Sequence, residues 1–127
     1  MNIMEWTSIV DCAYSASFNL VSSDPAVVNI QLKDFAGNDL TRAASVMAWV
    51  SSTATGQDPS ALSGEIALTG SGDGAVLIFL THYFYQLISE ADGDIDVTIT
   101  DTGSTAQYLT LVMPNGKLVV SQHLVFA

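Results

Sequence analysis

The densest group of carboxylate side chains in the sequence consists of four acidic residues at alternate positions: Glu90, Asp92, Asp94 and Asp96. Carboxylate oxygens are the ligands that a hard cation such as Ca²⁺ prefers. A calcium loop of the EF-hand type also needs a distant bidentate Glu, whereas here Ile95 and Val97 alternate with the acids directly after an Asp-Gly turn. Asp94 and Asp96 should share one face of a strand, about 6.5 to 7 Å apart. We expect a solvated strand edge that discourages aggregation, and no metal site.

Residues that could act as nucleophiles are few. Cys12 has no local motif around it, and nothing in the sequence brings it close to His82 or His123. The chain holds no G-x-S-x-G motif, and two histidines without a cysteine cluster fall short of a structural zinc site. The 13 acidic residues offer many carboxylate pairs, but none is singled out for glycoside hydrolysis. We therefore predict no catalytic residue, no cofactor-binding residue and no cofactor.

Aromatic residues could form a binding face. In a strand, Tyr83 and Tyr85 would point to one side and Phe84 to the other, so that one side lies in the core and the other carries hydroxyl-tipped rings. Such rings suit a protein interface, a sugar-binding platform or an ordinary core. Trp49 is expected in the core, and Trp6 is the better candidate for a contact between subunits.

Charge and composition exclude several classes of partner. The chain has 127 residues, a net charge of −10 and 49% hydrophobic residues, and its only basic side chains are Lys33, Arg42 and Lys117. Nucleic acids and anionic membranes need clustered Lys and Arg, so we expect neither as a partner. Ser and Thr together outnumber all charged residues. This low-charge surface is typical either of strands with one solvated face or of a protein that hides part of its surface in an assembly.

Length and hydropathy indicate one folded domain without a membrane span. A chain of this size can bury a core without disulfides or a metal. No apolar run reaches the roughly 18 to 20 residues that a membrane-spanning helix needs, the longest being residues 75–80. The first residues lack the basic start and apolar stretch of a secretory signal, and the single Cys12 fits assembly in a reducing cytosol.

The hydrophobic pattern repeats every second residue and predicts an all-β fold. The predicted strands cover residues 26–33, 45–51, 65–68, 75–80, 84–89, 94–100, 107–113 and 117–126. Gly, Asn and Asp mark the turns between them, and residues 52–63 form a long, polar, exposed loop. Within residues 1–24, residues 5–10 and 13–21 could form strands or an arm that pairs with another subunit. About seven to nine short strands with such turns are typical of an antiparallel sandwich or barrel.

Three segments carry a family resemblance: Val28-Asn-Ile-Gln-Leu-Lys-Asp-Phe-Ala-Gly-Asn-Asp-Leu40, Ile88-Ser-Glu-Ala-Asp-Gly-Asp-Ile-Asp-Val-Thr-Ile99 and Met113-Pro-Asn-Gly-Lys-Leu-Val-Val120. They resemble the Ig-like structural proteins of tailed bacteriophages, and most closely capsid decoration (cement) proteins. The resemblance covers residues 26–127 and implies an Ig-like antiparallel β-sandwich there. Residues 1–25 would form an N-terminal strand or arm, which could contact another subunit.

The resemblance also implies a function. The chain would be a non-enzymatic virion protein, made in the host cytoplasm, that binds the major capsid protein on the outer capsid surface and stabilises the shell, often as a homotrimer. Strand edges and the N-terminal segment would carry the contacts. The alternative is a receptor- or carbohydrate-binding Ig-like module of a phage tail or fibre, which would use the 52–63 loop or the Tyr83 and Tyr85 face.

Overall fold

The structure is a computed structural model that describes residues 12–23, 25–102 and 106–125. Within these residues the chain forms nine strands: β1 (Ser15–Ser23), β2 (Ala26–Lys33), β3 (Ser45–Ser51), β4 (Ile66–Leu68), β5 (Ala75–Leu80), β6 (Phe84–Ile88), β7 (Asp94–Ile99), β8 (Ala106–Val112) and β9 (Leu118–Val125). All eight strands predicted after residue 25 are confirmed, with ends that agree to within one residue. The described part of the chain contains no helix long and apolar enough to cross a bilayer.

The strands form two antiparallel sheets, as predicted for a β-sandwich. One sheet has the order β1-β2-β7-β4, and the other has the order β5-β6-β3-β8-β9. These orders correspond to the A-B-E-D and C″-C′-C-F-G sheets of a nine-stranded immunoglobulin domain. The path through the middle differs: after β3 the chain crosses to β4 in the opposite sheet, returns to the outer strand β5 and only then adds β6 beside β3.

Alternating side chains from both sheets fill the space between them. In β2, for example, Val28, Ile30 and Leu32 are buried while their neighbours are partly exposed. The same alternation continues in β3, β7 and β8, and it matches the period of two on which the strand predictions rested. The largest fully buried side chains come from several strands of both sheets and include Ile30, Ile95, Tyr85, Leu87 and Leu111.

The segment predicted at residues 13–21 is a strand of the parent sheet. β1 pairs with β2 along its whole length, from Ser15 opposite Lys33 to Ser23 opposite Ala26. Ala13 is buried, and Phe18 and Leu20 pack against the core. Of the two alternatives for this segment, the structure shows the strand within its own sheet. The strand predicted at residues 5–10 and the intersubunit role predicted for Trp6 lie outside the described residues.

Candidate functional site

Four consecutive apolar side chains of β5, Leu77 to Leu80, are each 46–60% exposed to solvent. Tyr83, in the turn that follows, is exposed to a lesser degree. We refer to these five residues together as the β5 surface. Scattered exposed apolar residues are ordinary on a protein, but a contiguous apolar patch is typical of an interaction site.

The exposure of the β5 surface follows from the sheet arrangement. Among the strands that the structure describes, β5 lies at a sheet edge, with β6 on one side and no strand on the other. Ile78 lies opposite the buried Tyr85 and so points toward the space between the sheets, whereas Leu77 lies opposite Gln86 and points outward. The facing sheet ends in β4, which has only three residues. It therefore leaves Ile78 half exposed, and β5 presents apolar side chains on both of its faces.

β5 also lacks most of the features that protect an edge strand from pairing with another chain. Natural edges are usually blocked by charged residues, Pro or a bulge. The stretch from Ala75 to Ser89 contains no Asp, Glu, Lys, Arg or Pro. A register shift between Ile78 and Leu80 leaves Phe79 as a bulge residue, while the pairing from Ala75 to Ile78 is regular. Within the described residues, the edge over those four positions is therefore unpaired and open to a further strand.

The turn that ends the β5 surface is held in place by the neighbouring loop. His82 is the one non-glycine residue with a positive φ in the described part of the chain, at 72°. Its Nδ1 lies 2.7 Å from the Gly64 carbonyl oxygen, and its own carbonyl accepts a hydrogen bond from the Leu62 amide at 3.0 Å. The Tyr83 amide donates to the Leu80 carbonyl at 2.9 Å. These contacts give the β5–β6 turn a defined conformation before any partner binds.

The aromatic predictions are corrected in part. Tyr85 is fully buried in the core, and Tyr83 lies in the turn before β6. They therefore do not form a shared exposed face. Trp49 is not in the core: it lies on the outer face of its sheet, edge-on to Phe84, and its Nε1 donates to the Gly56 carbonyl at 2.8 Å. The sequence could not show this, because a strand alternation does not say which face is covered.

The 52–63 loop is exposed over most of its length, as predicted, but it is also anchored. Gly56 is buried against Thr110 and Val120, so that the loop covers part of the outer face of the five-stranded sheet. The Ser51 hydroxyl donates to the Thr53 carbonyl at 3.0 Å and accepts from the amide of Asp58 at 3.3 Å. The loop thus forms part of the sandwich surface beside Trp49.

The acidic run lies on an interior strand, which corrects the prediction of a solvated sheet edge. β7 is flanked by β2 and β4. The Asn29 amide of β2 donates to Asp94 at 2.5 Å and to Asp96 at 2.6 Å, so one neutral side chain bridges the two carboxylates. One carboxylate oxygen from each of Asp73, Glu90 and Asp96 lies within 4.8 Å of the others. Sequence reasoning missed Asp73, because β5 and β6 separate it from the run.

Crowding of carboxylates changes the protonation of Glu90. Desolvation, a hydrogen bond with the Asp94 side chain and repulsion from Asp92, Asp94 and Asp73 raise the pKa of Glu90 above its ordinary value. The folded protein therefore holds this proton more tightly than the unfolded chain does. The resulting stabilisation is present below the ordinary Glu pKa and is lost as the pH rises through the folded value.

Glu90→Gln is accordingly expected to increase the free energy of unfolding at pH 7, because it removes a carboxylate that is disfavoured when ionised. At pH 4, where the proton is largely bound in both states, the gain should shrink. Urea unfolding at the two pH values measures the difference. Glu65→Gln, outside the acidic cluster, is the matched control, and equal gains for both variants at both pH values would contradict the assignment.

The absence of a catalytic Cys-His pair stays a prediction, but the structure shows where the thiol and the two imidazoles lie. Within the described residues, no hydrogen bond joins the Cys12 thiol to either histidine: its Sγ lies 3.6 Å from the Ala13 carbonyl oxygen, at a cavity of about 390 Å³ that Tyr14, Phe35 and Pro114 also line. His82 lies in the β5–β6 turn, and His123 stacks on Tyr108 with ring centroids 5.0 Å apart. The three side chains therefore have separate surroundings.

Comparison of the chain with protein-family models, with curated proteins and with solved structures finds no match.

Proposed function

We propose that this protein is a non-enzymatic virion component that decorates the outside of a tailed-phage capsid and stabilises it. Its partners would be the major capsid protein and further copies of itself. The observation that carries the proposal is the β5 surface, an uncharged apolar strand with an open edge, which is suited to binding protein. The resemblance of residues 26–127 to phage Ig-like decoration proteins supports the major capsid protein as a further partner of the resulting assembly.

The charge of the chain supports a position on the outside of the shell. With a net charge of −10, the protein would be repelled by packaged nucleic acid. The hairpin from Ala75 to Ser89 carries no formal charge when His82 is neutral, so it can meet a protein surface without burying an unpaired ion. Acidic residues elsewhere would keep the free protein soluble until it binds.

Linked copies would supply the stabilisation. One domain can bury only a modest area against a shell, but copies that bind adjacent capsomers together dissociate far more slowly than one copy alone. The resemblance implies a homotrimer for this purpose. The decorated shell would then resist expansion because each oligomer ties neighbouring capsomers to one another.

The competing function is that of a tail or fibre module that binds a receptor or carbohydrate. Burial of Tyr85 removes one of the two rings on which a sugar platform was expected, while Tyr83 and the 52–63 loop are still available to a ligand. Nothing else in the described residues favours this alternative over a protein contact.

Co-sedimentation distinguishes the two functions. The purified chain is mixed with assembled phage heads that lack it, with unassembled major capsid protein and with host cells. We expect saturable binding to assembled heads, because adjacent capsomers exist only there, and little binding to unassembled subunits or cells. Saturable binding to cells or to a glycan in the absence of any capsid would contradict decoration and would support the fibre module.

A further inference from the structure

We infer that the occupant of the β5 surface is a second copy of this chain, with the two β5 strands paired antiparallel about a two-fold axis. This inference rests on the proposal that the β5 surface is a protein contact, and it names the partner. Pairing would continue the five-stranded sheet of one copy into that of the other. It would satisfy the open backbone edge of β5 in both copies at once.

The apolar character of both faces of β5 favours this occupant. A strand that is covered on both sides is typically a continuous apolar run, as Ala75–Leu80 is. In a two-fold pair centred on Leu77, the Leu77 side chains of the two copies would lie opposite each other on the outward face, and Ile78 of each copy would lie opposite Val76 of the other on the inward face. Each copy would thus supply the apolar neighbours that the other lacks.

The remaining edge strands are poorer matches for β5. β4 has only three residues, and β9 exposes Gln122 and His123. β1 exposes Ser17 and Asn19 along most of its length, and its one large exposed apolar side chain is Val21. Among the described edges, β5 is the one with exposed large apolar side chains on both faces, so its best complement is another β5.

The distribution of charge also favours an antiparallel pair. The acidic cluster of Asp73, Glu90 and Asp96 lies at the end of the hairpin where β5 begins. Antiparallel pairing brings that end beside the Thr81–Tyr83 turn of the other copy, which holds no acidic residue. The two clusters are then separated by the length of β5, about 17 Å for six residues. A parallel pair would bring them together and would be opposed by repulsion.

A symmetric pair uses each β5 edge once and closes at two copies. The solution state would therefore be a dimer, which differs from the homotrimer that the resemblance implies. Light scattering on the purified full chain should give a mass of twice 13.4 kDa. A monomer or a trimer at micromolar concentration would overturn the inference.

A matched pair of variants locates the interface. Phe79 and Val21 are both bulge residues of edge strands, and they are 60% and 64% exposed. Phe79→Glu should weaken dimerisation about 100-fold or more, because it places a carboxylate from each copy in an apolar contact. Val21→Glu adds the same charge on the other sheet and should leave the dimer intact. Circular dichroism checks that both variants are folded, and equal effects on dimerisation would overturn the assignment to β5.

Cross-linking tests the inference without adding charge. In a Cys12→Ser background, Ile78→Cys treated with a short bismaleimide should be trapped as a dimer, whereas Val21→Cys should stay monomeric on a denaturing gel. The reverse pattern would place the contact elsewhere. Failure of this inference can be told from failure of the proposed function: a monomer that still binds assembled heads refutes only the pairing, and a β5-linked dimer that binds no head refutes only the decoration.

Discussion

Removal of residues 1–24 is expected to abolish cooperative folding of the domain. The deletion removes β1, which pairs with β2 along its whole length, and it uncovers the side of the core against which Phe18 and Leu20 pack. It also removes the buried Ala13. Loss of an edge strand with its apolar side chains should cost more than about 5 kcal/mol, which is comparable with the whole stability of a small domain.

Thermal unfolding followed by circular dichroism measures this effect, and removal of residues 1–11 alone is the matched control because every described strand begins later. A deletion of residues 1–24 that still unfolds in one sharp transition near the wild-type temperature would contradict the role assigned to β1. If residues 1–11 contribute to capsid contacts, as predicted for the N-terminal segment, the shorter deletion should weaken binding to assembled heads and leave the fold intact.

Gly74→Ala is expected to have the second largest effect, because Gly74 sets the start of β5. Its φ is +113°, and a Cβ placed there would clash with the Ile88 carbonyl oxygen of the neighbouring strand. Both the left-handed backbone and the contact with a backbone atom oppose any side chain. We expect a loss of about 2 to 4 kcal/mol in the free energy of unfolding, together with displacement of β5 from β6.

Gly72→Ala is the control for this substitution. Gly72 also has a positive φ, +89°, but no atom lies within 4 Å of a Cβ at that position. Gly72→Ala should therefore lower the free energy of unfolding only by the cost of holding Ala in a left-handed backbone conformation, about 1 to 2 kcal/mol. Chemical denaturation of the two variants gives the comparison, and an equal loss for both would show that the close approach of Ile88 to Gly74 is unimportant.

Most strands could be predicted from the sequence because their local pattern and their tertiary environment agree. In β7, Ile95, Val97 and Ile99 alternate with polar residues, and all three are buried. Asp-Gly and Asn-Gly turns flank several of these strands, so their ends were predictable as well. The strand order within each sheet could not be read in the same way, because it depends on pairing between segments that are far apart in the chain. The wrong prediction of an edge position for Asp94 and Asp96 has this cause.

The exposed β5 surface could not be predicted from the sequence, because here the local pattern and the tertiary environment disagree. Ala75–Leu80 has no polar alternation, so the pattern favours a strand that is covered on both faces. The strand forms as predicted, but in the described part of the chain the facing sheet stops at the three-residue β4 and does not cover it. Only the two sheet orders together reveal that these apolar side chains are exposed. Likewise, Asp73 joins the acidic cluster through the β5–β6 hairpin and not through its sequence neighbours.

The two proposals together give β5 an indirect role at the capsid. If β5 joins two copies, the surfaces that contact the shell must lie elsewhere on the sandwich, and the dimer gains affinity because both copies bind at once. A variant that cannot pair through β5 should then bind the shell more weakly and fail to tie neighbouring capsomers together.

Thermal release of the genome from phage heads tests this combination most directly. Heads that lack the chain are heated alone, with the wild-type protein and with the Phe79→Glu and Val21→Glu variants, while exposure of DNA to a fluorescent dye is recorded. We predict that wild-type protein and Val21→Glu raise the release temperature and that Phe79→Glu does not. A release temperature that the wild-type protein leaves unchanged at saturating concentration would contradict the proposed stabilisation of the capsid, and an equal rise with Phe79→Glu would contradict the role of β5.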